Sequence, residues 1–416
     1  MKAQVKLENV KKAASLLCDV ALKTPLMRNE NLSQKYDANI VLKREDLQQV
    51  RSYKIRGAYN KIASLSKIDL DNGVVCASAG NHAQGVAFSC FKLKVKGVIF
   101  MPTPTPKQKV EQVKMFGGEY IEIVITGDTF DDASGTALEY CSENNMSFVH
   151  PFDDEKVVEG QATIALELLE QSQEGIDYLF VPVGGGGVAA GISAIFNQLS
   201  PSTKVIGVEP FGAPSMSTSL EQGKNVKLGS IDKFVDGASV QKVGELNFNL
   251  CQQFLSKMSV VKEGEICQTI LDLYNRDAVV VEPAGALSIA VLNQYKDEIK
   301  GKNVVCLVSG SNNDITRTEE IKERALLHAN LKHYFIISFP QRAGALKEFV
   351  AEILGPNDDI THFEYTKKHN RNMGPAVVGV ELENSETLGA LKQRMKEKSF
   401  FGEYLNDKPD LFQFLV

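Results

Sequence analysis

Short apolar runs alternate with longer helix-like stretches through the first 325 residues, and this alternation restricts the possible folds more than any other feature. The runs are NIVLKR from Asn39, GVVCAS from Gly73, GVIFMP from Gly97, YIEIVI from Tyr120, YLFVPV from Tyr178, KVIGVE from Lys204 and NVVCLVSG from Asn303. Short apolar strands separated by helices form βαβ units, with a parallel sheet covered on both faces. Such α/β folds bind ligands at the carboxyl ends of the strands, where loops lead into helix N-termini. The loops that follow these runs are therefore where chemistry is expected.

Beyond about Arg324 the pattern changes. HYFIISFP, ALKEFVAEIL, DITHFEYTKK, PAVVGVELE and ETLGALKQRMKEK read as strand, helix, strand, strand, helix, and a terminal strand is expected to follow. This βαββαβ order marks a small α+β module of the ferredoxin-like kind. At a prior of roughly 150 residues per domain, 416 residues accommodate two or three domains. We expect a catalytic region over 1–325, with a smaller lobe at roughly 52–150, and the module over 326–416. The join, ERALLHANLK, reads as helix, which would hold the module close.

Charge and composition exclude several partners. With 46 basic and 52 acidic residues, a net charge of -6 and no basic run longer than Lys367-Lys368, the chain lacks an electrostatic footprint for nucleic acid. The N-terminus, MKAQVKLENVKKAASLLCDV, reads as an amphipathic helix without a leader's apolar region, and no later segment is apolar for long enough to span a membrane. A cytoplasmic chain with a small-molecule partner is expected. Seven cysteines, an odd number without a CxxC pair, read as reduced core thiols. Six histidines without HExxH spacing give no reason to expect a metal.

Three loops merit attention. In VPVGGGGVAAG, Gly184, Gly185, Gly186 and Gly187 follow a strand and precede a helix beginning near Val188. Residues without Cβ let successive backbone N–H groups approach a phosphate, to which the helix dipole adds. A tight structural turn is the alternative. So is a dinucleotide fingerprint, through Gly185-x-Gly187-x-x-Ala190 with Glu209 about twenty positions on. In CASAGNHAQG, the N–H groups of the small residues Ser78, Ala79 and Gly80 and that of Asn81 suit a carboxylate at a helix start, although Ser78 or Asn81 as a simple N-cap looks the same and is the plainer reading of the loop alone. In LVSGSNND, Ser309 emerges at a strand terminus, in what would otherwise be an ordinary turn.

One lysine, Lys54 in SYKIRGAYN, stands at a helix start. A reactive lysine needs a desolvated or cationic setting that lowers its amine pKa. Arg56, two residues on, does not establish one, so these residues alone leave Lys54 open between a surface cation and a nucleophile.

Taken in order, SYKIRGAYN, SAGNHAQGVA, PVGGGGVAAG, VEPAGA and VSGSNND resemble the fold-type II pyridoxal phosphate enzymes of the tryptophan synthase β superfamily, and most closely the biosynthetic threonine dehydratases. The resemblance covers residues 5–325, with the upstream TPL and KREDLQ segments included. It implies a two-lobed catalytic region with parallel-rich sheets. By position, Lys54 matches the lysine that binds pyridoxal 5'-phosphate covalently and then moves the Cα proton. Asn81 matches the partner of the cofactor's 3′-oxygen, Gly184 to Gly187 the phosphate cradle, and Ser309 the hydroxyl facing the pyridine nitrogen. Ser78, Ala79, Gly80, Asn81 and His82 match the substrate carboxylate pocket, and Glu282 lies in a motif near the cofactor.

The implied reaction is dehydration and deamination of L-threonine to 2-oxobutanoate and ammonia, the first step of isoleucine biosynthesis, with L-serine as a secondary substrate. Related serine racemases carry a serine at the position of Ala79, so racemisation is not expected here. They also bind a divalent metal through a glutamate and an aspartate, and Ser215 stands here in place of the aspartate. Tyr53 replaces the phenylalanine of many relatives. The C-terminal module resembles an ACT-like regulatory domain, in which FPQRAGALKEF, with Gly344, matches the entry where amino acids bind. Isoleucine or valine would be the effector, and a homo-oligomer, dimer or tetramer, is expected. The alternatives are a serine dehydratase, a nicotinamide-dependent dehydrogenase and an amino-acid sensor.

Overall fold

The computed structural model describes residues 4–366 and 372–415; Lys367 and Lys368 lie outside them. The chain divides into two units, Met1–Thr316 and Arg317–Val416.

The first unit carries strands β1 (Leu26–Arg28), β2 (Asn39–Arg44), β3 (Val74–Ala77), β4 (Gly97–Met101), β5 (Ile121–Ile125), β6 (Ser147–Phe148), β7 (Tyr178–Pro182), β8 (Lys204–Pro210), β9 (Lys257–Val261) and β10 (Asn303–Val308). They form a six-stranded sheet, ordered β1-β2-β10-β7-β8-β9, and a four-stranded sheet, ordered β5-β4-β3-β6. Only β1, on β2, pairs antiparallel; the other pairings in these two sheets are parallel.

The sequence dictates this layering. Every position of VVCA in β3, GVIFM in β4 and YLFVP in β7 is buried, which only a sheet covered on both faces provides. In the larger sheet, Leu179, Val181, Val305 and Leu307 pack with Ile164 and Leu168 of the Glu155–Gln171 helix and with Ile192 and Ile195 of the Gly187–Leu199 helix. The smaller sheet buries Val74, Cys76 and Ile99 against Val86, Ala87 and Cys90 of the Asn81–Leu93 helix, and Val75, Val98 and Phe100 against Ala137 and Cys141 on its other face. Each fully buried aliphatic side chain contributes roughly 1.5–3 kcal/mol relative to exposure. The cysteines are all free thiols; six are buried and Cys18 is exposed.

All seven anticipated runs form strands. The three not anticipated, β1, β6 and β9, lie at sheet edges, where one flank is open and the apolar pattern is weaker.

In the second unit, β11 (Lys332–Pro340), β12 (Asp359–Tyr365), β13 (Met373–Glu381) and β14 (Phe401–Tyr404) form an antiparallel sheet ordered β12-β13-β11-β14. Helices Ala345–Glu352 and Leu388–Glu397 pack on it through Phe349, Leu391 and Met395, against Phe335, Ile337 and Phe339. This is the expected βαββαβ module. Gly344, at φ 83°, is the N-cap of the first of these helices. Most of ERALLHANLK is helical, in Thr318–His328, and a final helix, Pro409–Leu415, was not anticipated.

Candidate active site

Lys54 opens the helix Lys54–Ala63. The loop before it is tied to the loop after β10: Ser52 bridges Gly310, Tyr53 N–H donates to the Ser309 carbonyl at 3.2 Å, and Ser311 N–H donates to the Arg51 carbonyl at 2.9 Å. From the other side the Asn81–Leu93 helix approaches so closely that a Cβ on Gly85 would lie 3.1 Å from the carbonyl of Lys54. The Lys54 amine donates to the Pro151 carbonyl at 2.8 Å. Burial lowers its pKa to about 8, against the opposing pull of Glu282. Lys54 is half-buried, and its amine has the lowered pKa that sequence could not establish.

The glycine loop leaves β7 and enters the Gly187–Leu199 helix, one residue earlier than expected. Gly186, at φ 92°, is the N-cap, no side chain caps the helix, and the first helical bond runs from Ala190 N–H to the Gly186 carbonyl. The N–H groups of Gly187, Val188 and Ala189 thus have no partner within the helix. The crowding explains the run of glycines: a Cβ on Gly185 would lie 2.1 Å from the Phe152 ring, and one on Gly184 would lie 2.9 Å from the Ala238 backbone. Asn247 fixes the loop by donating its amide to the Gly185 carbonyl at 2.8 Å and the Phe152 carbonyl at 2.9 Å.

At the start of the Asn81–Leu93 helix the simple capping reading fails. Gly80 is the N-cap and no side chain caps this terminus; the Ser78 hydroxyl instead accepts from Gly80 N–H at 3.3 Å. The first-turn amides, those of Asn81 and His82 included, are left for an anion. Ser78, Ala79, Gly80 and Asn81 are half-buried, and nothing lies within 4 Å of a Cβ built on Gly80. The His82 ring points elsewhere: its Nε2–H donates to the Val149 carbonyl at 2.8 Å, and burial, with the nearby Lys54 charge, lowers its pKa to about 3. His82 therefore offers this loop only its amide.

Asn81 donates Nδ2–H to Glu282 Oε1 at 2.7 Å, while its Oδ1 accepts from the side chain of Asn312. Asn312 N–H donates to Glu282 Oε2 at 3.2 Å. Burial, reinforced by the charge of Asp236, raises the Glu282 pKa to about 7. Ser309 is buried at the end of β10, and its hydroxyl bonds to no other described residue.

Sequence reasoning missed the loop Val149–Asp153, which joins these parts. His150 Nδ1 accepts from Phe152 N–H at 3.2 Å and from Asp153 N–H at 2.7 Å, so its proton resides on Nε2. Pro151 holds Lys54, Phe152 packs over Gly185, and Asp153 accepts from Glu245 N–H and Leu246 N–H. The signal was the proline between His150 and Phe152, just ahead of the N-cap Asp154.

Glu209, the acidic residue of the dinucleotide imitation, is fully buried and accepts from Met216 N–H, Ser217 N–H and the Ser217 hydroxyl. It caps the Ser215–Gln222 helix and is not free to meet a ribose. Ser215 donates its hydroxyl to the Val240 carbonyl.

These residues fit pyridoxal phosphate. The uncapped, Cβ-free N-terminus at Gly184–Gly187 suits the phosphate, the Lys54 amine with its lowered pKa suits the aldehyde, and the unpartnered Ser309 hydroxyl suits a ring nitrogen. The comparisons agree. The profile of the family described as pyridoxal-phosphate dependent enzyme matches residues 18–310, and that of the C-terminal regulatory domain of threonine dehydratase matches 323–415. The biosynthetic L-threonine dehydratase of Halalkalibacterium halodurans is 55% identical over 413 residues, spanning 99% of this chain and 100% of the relative. That of Bacillus subtilis is 54% identical over 412 residues, spanning 99% and 98%. The processed form of threonine deaminase isoform 2 from Solanum lycopersicum superposes with a TM-score of 0.73 at 40% identity, covering 78% of this chain and 96% of that one. The chain therefore belongs to the biosynthetic L-threonine dehydratase family of pyridoxal phosphate-dependent lyases, with a C-terminal regulatory domain.

Proposed function

We propose that this chain converts L-threonine to 2-oxobutanoate and ammonia, with L-serine as a secondary substrate, and that it acts in the cytoplasm as a homo-oligomer at the entry to isoleucine biosynthesis. The observation that carries this reading is the Lys54 amine, held on the Pro151 carbonyl beside the glycine loop with its pKa lowered to about 8. The whole-length relatives named for threonine dehydration support the substrate.

When bound, pyridoxal phosphate supplies an electron-accepting ring that stabilises negative charge at the substrate Cα. The N–H groups at Gly184 to Gly187 would hold its phosphate. Asn81 would donate to the ring's 3′-oxygen, and the neutral Ser309 hydroxyl would partner the pyridine nitrogen without fixing a proton there. The loop from Ser78 to His82 takes the substrate carboxylate on its backbone N–H groups. Lys54, with its lowered pKa, would hold the cofactor at its aldehyde and, as the free amine, would take the substrate's Cα proton. Elimination of the β-hydroxyl with a proton as water, followed by hydrolysis that takes a water back up, would then release the 2-oxo acid and ammonia.

The second unit is read as the regulator, with isoleucine or valine as the effector at the turn before the Ala345–Glu352 helix. Gly344, at φ 83°, lets the backbone there approach a ligand.

Borohydride reduction followed by peptide mapping tests the catalytic reading: a pyridoxyl group on Lys54 is expected, and active protein without it would refute the assignment. Assays of 2-oxo acid release from threonine and serine, with and without isoleucine, test substrate and regulation. Inhibition should vanish in a chain ending at Arg324; inhibition that survives the truncation would place the effector elsewhere.

A further inference from the structure

Glu282 is the N-cap residue of the Pro283–Ala290 helix, yet its side chain does not cap that helix. It is 4% exposed, and both carboxylate oxygens are directed at other elements. Oε1 accepts from Asn81 Nδ2, on the helix over the smaller sheet, at 2.7 Å. Oε2 accepts from Asn312 N–H, in the loop after β10 of the larger sheet, at 3.2 Å. Glu282 N–H donates to the Gly310 carbonyl of that loop at 3.2 Å, and a Cβ on Gly310 would lie 2.5 Å from Oε1. Asn312 closes the triangle, its side chain donating to Asn81 Oδ1 and to the Val50 carbonyl. One buried carboxylate thus joins the two sheets at the site.

The chemistry of the partners requires a carboxylate. Both groups that meet it are donors, so an acceptor-only side chain satisfies both; an amide would turn its own N–H toward one of them. The arrangement also fixes which way Asn81 faces. Its Oδ1 is committed to Asn312 and one Nδ2 hydrogen to Glu282, which leaves one Nδ2 hydrogen to give. The Lys109–Asp236 ion pair, at 2.5 Å, forms a second tie from a smaller-sheet helix (Lys107–Gly117) to a loop of the larger lobe.

We propose that Glu282 is a positioning residue that fixes the Asn81 amide as a donor toward the cofactor's ring oxygen, and does so only while the smaller sheet's helix is docked on the loop after β10. Docking of the smaller lobe and alignment of the cofactor then occur together. This rests on the reading of Asn81 as the ring-oxygen partner.

The test is a double-mutant cycle in the full-length holoenzyme, Glu282→Gln, Asn81→Ala and both, with hydrogen exchange measured on the cofactor-free chain. Glu282→Gln should lower kcat/KM about tenfold, as loss of a charge-assisted buried hydrogen bond does, and shift the absorption maximum of the lysine-bound cofactor in the direction that Asn81→Ala shifts it. The double variant should be no worse than Asn81→Ala alone, because Glu282 acts through Asn81. In the cofactor-free chain, amides near the start of the Asn81–Leu93 helix should exchange faster in Glu282→Gln. Additive effects, or an unshifted spectrum with unchanged exchange, would overturn the proposal. Asn81→Ala with an unshifted spectrum would overturn the underlying reading of Asn81, whatever the exchange shows. Should Glu282→Gln fail to fold, Glu282→Asp retains the acceptors at shorter reach; the same spectral shift is expected, and an unshifted spectrum overturns the proposal.

Discussion

Arg56 and Glu45 meet through two parallel hydrogen bonds, Nε to Oε2 at 2.8 Å and Nη2 to Oε1 at 2.8 Å, with the side chains 1% and 0% exposed. Half-buried Glu167 accepts from Arg56 Nη1 at 2.7 Å and from Lys43 Nζ at 2.5 Å, so two positive and two negative groups close a neutral cluster whose other three members are buried. Thr24 donates to Glu45, and Lys43 and Gln171 donate to the Thr24 carbonyl. This cluster explains why TPL and KREDLQ accompany the Lys54 motif: they anchor the helix that Lys54 begins. Removing one charge leaves its partner buried and uncompensated, which costs about 3–5 kcal/mol. Glu45→Gln should lose stability on this scale in urea unfolding; Arg56→Lys keeps the charge and should lose less, through the two-pronged geometry that lysine cannot reproduce. A loss below about 0.5 kcal/mol, the range of ordinary surface changes, would show that the cluster contributes nothing.

How far the sequence could be read follows the same physics. The strands of the two sheet interiors were legible because burial on both faces leaves a continuous apolar run, as in YLFVP. Strand β9, KMSVV, lies at an edge with a half-polar pattern, and β6 has two residues, too few to show a period. Within the site, the glycine loop stood out because four consecutive residues lacked a Cβ. Lys54 did not, because the carbonyl that holds it belongs to Pro151, 97 positions away. Likewise, Asn81 read as a plain helix cap until the structure turned its side chain to Glu282 and Asn312.

The lowered amine pKa gives a pH dependence with a definite sign. A protonated lysine cannot attack the cofactor's aldehyde, and burial moves Lys54 from the usual value near 10.4 to about 8. The rate at which the cofactor-free chain captures pyridoxal phosphate, followed by absorbance, should therefore rise with pH through a midpoint near 8 and level off above it. A midpoint near 10.4 would mean that Lys54 stays solvated. Lys54→Ala should abolish turnover while retaining the wild-type circular dichroism.

Two glycines separate packing from binding. A Cβ on Gly185 would meet the Phe152 ring at 2.1 Å, so Gly185→Ala must displace either the ring or the loop. Its affinity for pyridoxal phosphate should fall about 10- to 100-fold in a fluorescence titration, the scale of losing a hydrogen bond to a charged group. Gly80 has no atom within 4 Å of a built Cβ and has φ -128°, which any residue adopts. Gly80→Ala should leave the melting temperature and cofactor affinity unchanged while raising KM for threonine several-fold, because the added methyl enters the space beside the amides that take the carboxylate. Equal effects of the two substitutions on cofactor affinity would contradict this division.

The second unit has a core of its own, in which Phe349 is fully buried and packs edge-on to Phe400 at 5.3 Å between ring centroids. Phe335, Ile337, Phe339, Leu391 and Met395 complete the cluster around it. A fragment of residues 317–416 should accordingly unfold cooperatively by itself. Phe349→Ala removes a buried ring and leaves a cavity, at a cost of about 3–5 kcal/mol, much of the stability of a domain this size. In that fragment the substitution should lower or abolish the unfolding transition, and in the full chain it should weaken isoleucine inhibition while threonine turnover persists. Turnover and inhibition falling together would show that the second unit also sustains the catalytic one, and that its role is not regulation alone.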